Sequence, residues 1–389
     1  MMPPSHGLSD LPDPEKTRRR VGLVLFLLGN LVGFGLLVLF LVILPLLSPQ
    51  VQFLRYCLVM LLGAVLAFPA AAVYLTVPRL LDRYDPEPAF ALIGCLCWGA
   101  IAACGFSLVI NTFVGEVALA VAGADVATVV GAVLSAPFVE EFWKGVGLVG
   151  VFYFLRREFD GVVDGIIYAT FIAIGFAAVE NVIYYARAVS TDQIGFAFLV
   201  RGVLAPWGHP LYTAMTGIGF GIARETTKSW VRWVAPLVGY GGAVVLHMIW
   251  NGAAVLFGTF EDGRFMFYLS LVLWLMFVTA FLIMVIVLVR RREKIIRANL
   301  LDEVALKTID LGELELVCSA FGLMKARIRY GKKGSEFVRA VARLALSKWH
   351  TTRAIAGSTH TVSMDFIGPL RARIRELRAG LAASQSVGQ

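Results

Sequence analysis

The chain has 389 residues, 58% hydrophobic and only 16% charged, with a net charge of +8 and a mean hydropathy of +0.77, a composition outside that of soluble domains. It reads as an all-α polytopic integral membrane protein of the cell membrane. The basic surplus collects beside the ends of apolar segments and in the C-terminal region, without interleaved aromatic residues that would stack bases. Nucleic acid is therefore not an expected partner, whereas anionic lipid at the cytoplasmic face and along the tail is.

In chain order, residues 1–20 are a Pro-, Ser- and Asp-containing tail that ends in KTRRR, expected to be disordered and cytoplasmic. The run from Val21 to about Leu47 is too long for a signal-peptide core and lacks a small-residue cleavage site, so it is a retained first span. Further spans are expected at roughly 56–78, 89–113, 126–154, 161–186, 205–223, 231–257 and 266–289, about eight in all. Arg201 and Pro206 interrupt IGFAFLVRGVLAPW, which predicts a short interfacial or re-entrant helix before a span that starts near Pro206.

Arg79 and Arg83, Arg156 and Arg157, Arg224, Lys228 and Arg232, and RRREK at Arg290 to Lys294 fall on one side of such a bundle. That asymmetry puts both termini in the cytoplasm. Residues 21–290 then form the membrane domain, and 291–389 a basic, amphipathic, helical cytoplasmic tail. Its segments EFVRAVARLALSKW and GPLRARIRELRAGL predict helices that build a small unit or lie on the anionic leaflet. The cysteines show neither a disulfide framework nor paired zinc spacing and read as small buried hydrophobes.

Four of the expected spans carry polar groups one helical turn apart. The fourth gives Glu140 and Lys144 at i and i+4 with Glu141 about 100° further round, an arrangement in which a Glu140–Lys144 pair leaves Glu141 over. The fifth gives Phe176, Glu180 and Asn181; the sixth, His209 and Thr213; the seventh, His247 and Asn251. Charges at bilayer depth cost at least about 2.5–3.5 kcal/mol each, so these side chains are expected to converge on one polar cavity. Asp164 and Tyr168 read as helix-start and interface residues, and Gly217, Gly219 and Gly221 as close-packing positions.

Such a cavity offers a carboxylate base for water, with imidazole and amide groups to stabilise an oxyanion: peptide hydrolysis inside the membrane. Alternatively Glu180, His209 and His247 coordinate zinc, with Glu140 or Glu141 as base. A reading from another class is a proton-coupled transporter that uses the same Glu/His cluster as a relay.

The ordered series PFVEEFWKG, GFAAVEN, GHPLYTAMTG and HMIWN, within residues 125–255, resembles the PrsW family of intramembrane proteases, related to the CAAX-processing endopeptidases. By that likeness Glu140 and Glu141 are the paired glutamates and Lys144 the following basic residue. Phe176 and Glu180 form the second element, His209 and His247 are the two histidines, Asn251 is the last polar position, and Thr213 stands where a small hydroxyl residue is usual. The resemblance implies cleavage of a single-span membrane protein, such as a membrane-anchored anti-sigma factor, on the extracytoplasmic side. The family is usually called metallopeptidase, while its relatives favour a glutamate-activated water without metal.

Overall fold

The computed structural model describes residues 14–49, 51–78, 86–259, 263–319, 321–356 and 363–386. No strand occurs among them. They fall into two compact units, one formed by residues 14–78 and Glu87–Val278, the other running from Thr279 onward.

Among the described residues, seven helices are long and apolar enough to cross a membrane. They are α1 (Glu15–Leu47), α2 (Phe53–Tyr74), α3 (Ala89–Ala122), α4 (Ala124–Phe154), α5 (Val162–Ser190), α7 (Ser229–Thr259) and α8 (Gly263–Ala305). The expected sixth span is α6 (Gly208–Glu225), only 18 residues long. Its His209, Thr213, Thr216, Arg224 and Glu225 leave it too polar to qualify by itself, and Tyr212, Thr213 and Ala214 are buried among neighbouring helices. Before it come the short helix Ile194–Phe198 and a π-helical turn, Leu199–Leu204, which match the expected interruption.

Residues 1–13 of the expected tail lie outside the described residues, but helix already begins at Pro14. A first-position proline and Glu15 in the first turn favour a start there. Glu15 also pairs with Arg19 and Arg157, which ties this end to the turn after α4.

Helix α5 is the axis of the membrane unit: 78% of its most apolar stretch is buried, against 6% of that of α1. Lipid is as apolar as leucine, so close packing rather than water exclusion holds such helices together. Two crossings show how close. A Cβ on Gly99 of α3 would lie 1.9 Å from the Ile172 carbonyl oxygen of α5. A Cβ on Gly165 or Gly217 would lie 2.1 or 2.2 Å from the other's carbonyl oxygen, so α5 and α6 touch backbone to backbone. Gly219 and Gly221 have the same packing role. Asp164 starts α5 as expected, its Oδ2 accepting from the Asp160 and Gly161 N–H groups at 2.7 and 2.9 Å. Tyr168 is fully buried, its hydroxyl shared between Glu87 and the Glu158 carbonyl. Cys95 and Cys104 are buried as expected, whereas Cys57 is exposed.

The second unit comprises the end of α8, α9 (Leu311–Cys318), α10 (Gly322–Ala356) and α11 (Ser363–Ser386). Its core gathers Ile296, Leu300, Leu314, Phe337, Val341 and Ile374, each side chain contributing about 1.5–3 kcal/mol of burial. Asp310 and Glu313 form a reciprocal capping box at α9, both bonds 2.8 Å. Beneath the charged surface, Glu303 is completely buried and accepts from Arg371 (Nη2 at 2.6 Å) and Lys348 (3.0 Å).

Candidate active site

The site begins where α4 changes register. Val130–Ser135 is a π-helical turn, and Ala136–Phe154 continues as α-helix with Pro137 in its first turn. A π turn pairs residue i with i−5, and Pro137 has no N–H to give to Ala132. The Asn251 amide of α7 supplies the missing donor, Nδ2 to the Ala132 carbonyl at 2.9 Å. Asn251 thus fixes the turn from which Glu140 and Glu141 project.

Glu141 is fully buried and saturated. Its Oε1 accepts from Lys144 Nζ at 2.8 Å and from His247 Nδ1 at 3.2 Å, and its Oε2 from the Thr213 hydroxyl at 2.8 Å. Lys144, also fully buried, is 3.6 Å from Glu140 Oε2. The expected Glu140–Lys144 ion pair is present, but the lysine hydrogen-bonds to Glu141, so Glu141 is not left over and Glu140 is the more weakly held carboxylate. The reason lies in the partners, because Thr213 of α6 and His247 of α7 fix Glu141, and Lys144 follows it. The ammonium also lies 3.9 Å above the Phe176 ring and 2.9 Å from His209 Nδ1.

Glu140 is 5% exposed and its Oε2 has no hydrogen-bond partner. Asn111 of α3 approaches Oε1 with Nδ2 at 3.5 Å, and Ser135 donates to Asn111 Oδ1 at 2.8 Å. Oε2 faces His247 Nε2 at 4.0 Å. Since His247 Nδ1 points at the Glu141 carboxylate, that nitrogen carries the proton and Nε2 presents its lone pair to Glu140. Tyr212 stacks on His247 with ring centroids 4.9 Å apart.

Glu180 lies on the far side of His209. It accepts from His209 Nε2 at 2.9 Å and from Arg201, whose Nε also reaches Asn181 Oδ1 at 2.7 Å. The Arg201 guanidinium lies 3.8 Å above the Tyr184 ring. His209 therefore donates from Nε2 to Glu180 and accepts at Nδ1 from Lys144. The two imidazoles stand edge to face, centroids 5.0 Å apart.

Nine of the ten residues expected from the sequence meet in this one network, and Asn251 stands outside it, bonded to the Ala132 carbonyl. Ionised, Glu140, Glu141 and Glu180 face Lys144 and Arg201, so one negative charge is uncompensated, and it falls on Glu140. Asn111, Ser135 and Arg201 are the members that the sequence reading did not assign to the site. Arg201 was visible as a charge in an apolar run but read as an interruption. Asn111 was an amide in the third span, outside the four helices that carry the paired pattern.

Glu140, His209 and His247 each offer a ligand atom within 4.8 Å of the others. A His₂Glu set is a zinc donor set, each imidazole is backed by a carboxylate, Glu141 or Glu180, as metal-bound histidines usually are, and Glu140 Oε2 is a buried acceptor without a donor. These residues fit a divalent ion. The carboxylate that converges with both histidines is Glu140; Glu180, the expected ligand, is engaged by Arg201. Occupancy requires the Lys144 ammonium to give up His209 Nδ1.

Residues 87–288 match the family described as "PrsW family intramembrane metalloprotease". Among curated proteins, the chain is 29% identical to Protease PrsW of Geobacillus kaustophilus over 168 residues, 42% of this chain and 69% of that protein. It is 37% identical to Protease PrsW of Oceanobacillus iheyensis over 23% of this chain and 39% of that protein. With the Halalkalibacterium halodurans Protease PrsW, identity is 30% over 35% of this chain and 60% of the relative. No solved structure matches. The family match covers more than half of the chain, including every residue of the Glu/His network; the chain belongs to the PrsW family of intramembrane metalloproteases and is an intramembrane peptidase.

Proposed function

We propose that the cavity hydrolyses a peptide bond of a membrane-anchored, single-span protein, such as an anti-sigma factor, with Glu140 taking a proton from the attacking water. The observation that carries this reading is the buried, unpartnered Glu140 Oε2, 4.0 Å from the His247 Nε2 lone pair. That separation is too long for a direct hydrogen bond and short enough for one water to bridge.

In this reading Glu140 receives the water's proton and returns it to the leaving nitrogen. Glu141 holds His247 in the tautomer that keeps Nε2 as an acceptor. Lys144 places a fixed positive charge beside the cavity, where it stabilises an oxyanion in a medium of low dielectric. Alternatively, a divalent ion held by Glu140, His209 and His247 would supply Lewis acidity toward the scissile carbonyl, and Glu140 would then be a ligand in place of the base. With both termini in the cytoplasm, as the Lys/Arg distribution favours, the Glu/His network lies in the outer half of the cell membrane.

The test is cleavage of a library of single-span proteins by the purified, reconstituted chain. Wild type cuts, and Glu140→Gln does not, at a nearly unchanged melting temperature. If wild type cuts nothing while proton flux depends on Glu140 and His209, the transporter reading replaces this one.

A further inference from the structure

We propose that residues 321–330, at the start of α10, dock on an anionic bilayer surface. Three large apolar side chains stand exposed there: Phe321 at 62%, Met324 at 54% and Ile328 at 79%. At 100° per residue Met324 and Ile328 fall within about 40° of each other on one side of the helix, and Phe321 stands immediately before its first residue. Ala326 and Gly322 face the opposite way and are buried in the unit's own core. The exposed stripe is therefore not a surplus of the core.

Its flanks are basic on both sides. Lys325 and Arg329 lie beyond one edge of the stripe and Arg327 beyond the other, all exposed. At Gly331 the backbone adopts φ +63°, which ends the straight run, and exposed Lys332 and Lys333 follow at once. No Asp or Glu occurs between Glu315 and Glu336. Lys325 touches the Ser319 hydroxyl at 3.4 Å, a neutral group that leaves its charge uncompensated.

An apolar stripe between two basic edges is the pattern of a helix lying in a membrane interface. The ring and thioether enter the acyl boundary, while Lys and Arg stems run along the apolar surface and lift their charges to phosphate. A second copy of the chain is a poor occupant, because the same positive edges would meet. The bilayer is always within reach, since α8 continues from its apolar stretch directly into the second unit.

The experiment uses the full chain in nanodiscs of phosphatidylcholine alone and of phosphatidylcholine with phosphatidylglycerol. Acetylation rates of individual lysines by a water-soluble ester are read by peptide mass spectrometry. Docking slows acetylation of Lys325 about fivefold or more in the anionic discs, with Lys307 as the internal reference, and high salt weakens the effect. Replacing Phe321, Met324 and Ile328 together by Ser removes the protection. Equal Lys325 rates in both discs overturn the proposal. So does protection that persists in detergent micelles, which assigns the stripe to a protein partner. Neither readout involves proteolysis, so the result stands apart from the catalytic reading.

Discussion

The Ser135 hydroxyl donates to Asn111 Oδ1 at 2.8 Å, and so decides which end of that amide faces Glu140. The carboxylate receives Nδ2, a donor, at 3.5 Å. One serine in a π-helical turn thereby sets the environment of the carboxylate proposed as base.

Asn111→Ala is expected to lower turnover about 10- to 100-fold, the range for losing a hydrogen bond to a charged group, with KM changed far less. Asn111→Asp sets two carboxylates against each other and lowers turnover further. Ser135→Ala, which only frees the amide to flip, has a smaller effect. Steady-state kinetics on one cleaved substrate check the order.

The adjacent glutamates separate by readout. Glu140→Gln abolishes turnover and leaves thermal stability nearly unchanged, since Oε2 has no hydrogen bond to lose and only the longer 3.6 Å ion pair with Lys144 goes. Glu141→Gln removes the nearer carboxylate of fully buried Lys144 and leaves it only Glu140 at 3.6 Å; breaking a buried pair costs up to about 3–5 kcal/mol. A thermal-shift measurement in detergent shows the drop only for Glu141; equal drops for both would sink the assignment.

Arg201→Lys tests geometry apart from charge. The lysine keeps a cation beside Glu180 but cannot hold Glu180 and Asn181 together while stacked on Tyr184. Turnover is expected to fall about tenfold for Lys and further for Gln, in which half-buried Glu180 loses its guanidinium partner.

Metal content gives an independent check. Elemental analysis of protein purified with zinc is expected to find about one ion per chain, lost in His209→Ala and His247→Ala. Glu180→Ala, which removes only the backing of His209, weakens affinity about 10- to 100-fold. Full activity in protein stripped of metal would eliminate the ion from the reaction and leave Glu140 as base.

In the second unit, Glu303→Ala leaves Arg371 and Lys348 without their shared carboxylate. The cost is expected to be about 2–3 kcal/mol, less than for a wholly buried pair because Arg371 is partly exposed. Proteolysis of residues 291–389 should accelerate in this variant while the membrane helices stay intact.

Helices and their polar faces were legible because charge is conspicuous against a lipid-facing background. Glu140, Glu180, His209 and His247 stood out one by one, and periodicity placed them in a common layer. The partner of Lys144 was not legible. Spacing alone favours Glu140 at i+4 as much as Glu141 at i+3, and the choice is made by Thr213 and His247 from other helices. Asn111 escaped for a related reason, since an isolated amide in a span carries no periodic signal. The start of α1 was misjudged because Pro14 and Glu15 look like tail composition, yet favour the first turn of a helix.

The bare backbone crossing of Gly165 and Gly217 also makes α6 a lever. His209 lies eight residues from Gly217, about 12 Å along the axis. A tilt of about 5° at the crossing moves the imidazole by about 1 Å, enough to break its bonds to Lys144 and Glu180 together. Gly217→Ala, which wedges a methyl group into the fulcrum, would then dismantle the histidine's position from two turns away without touching any reacting group.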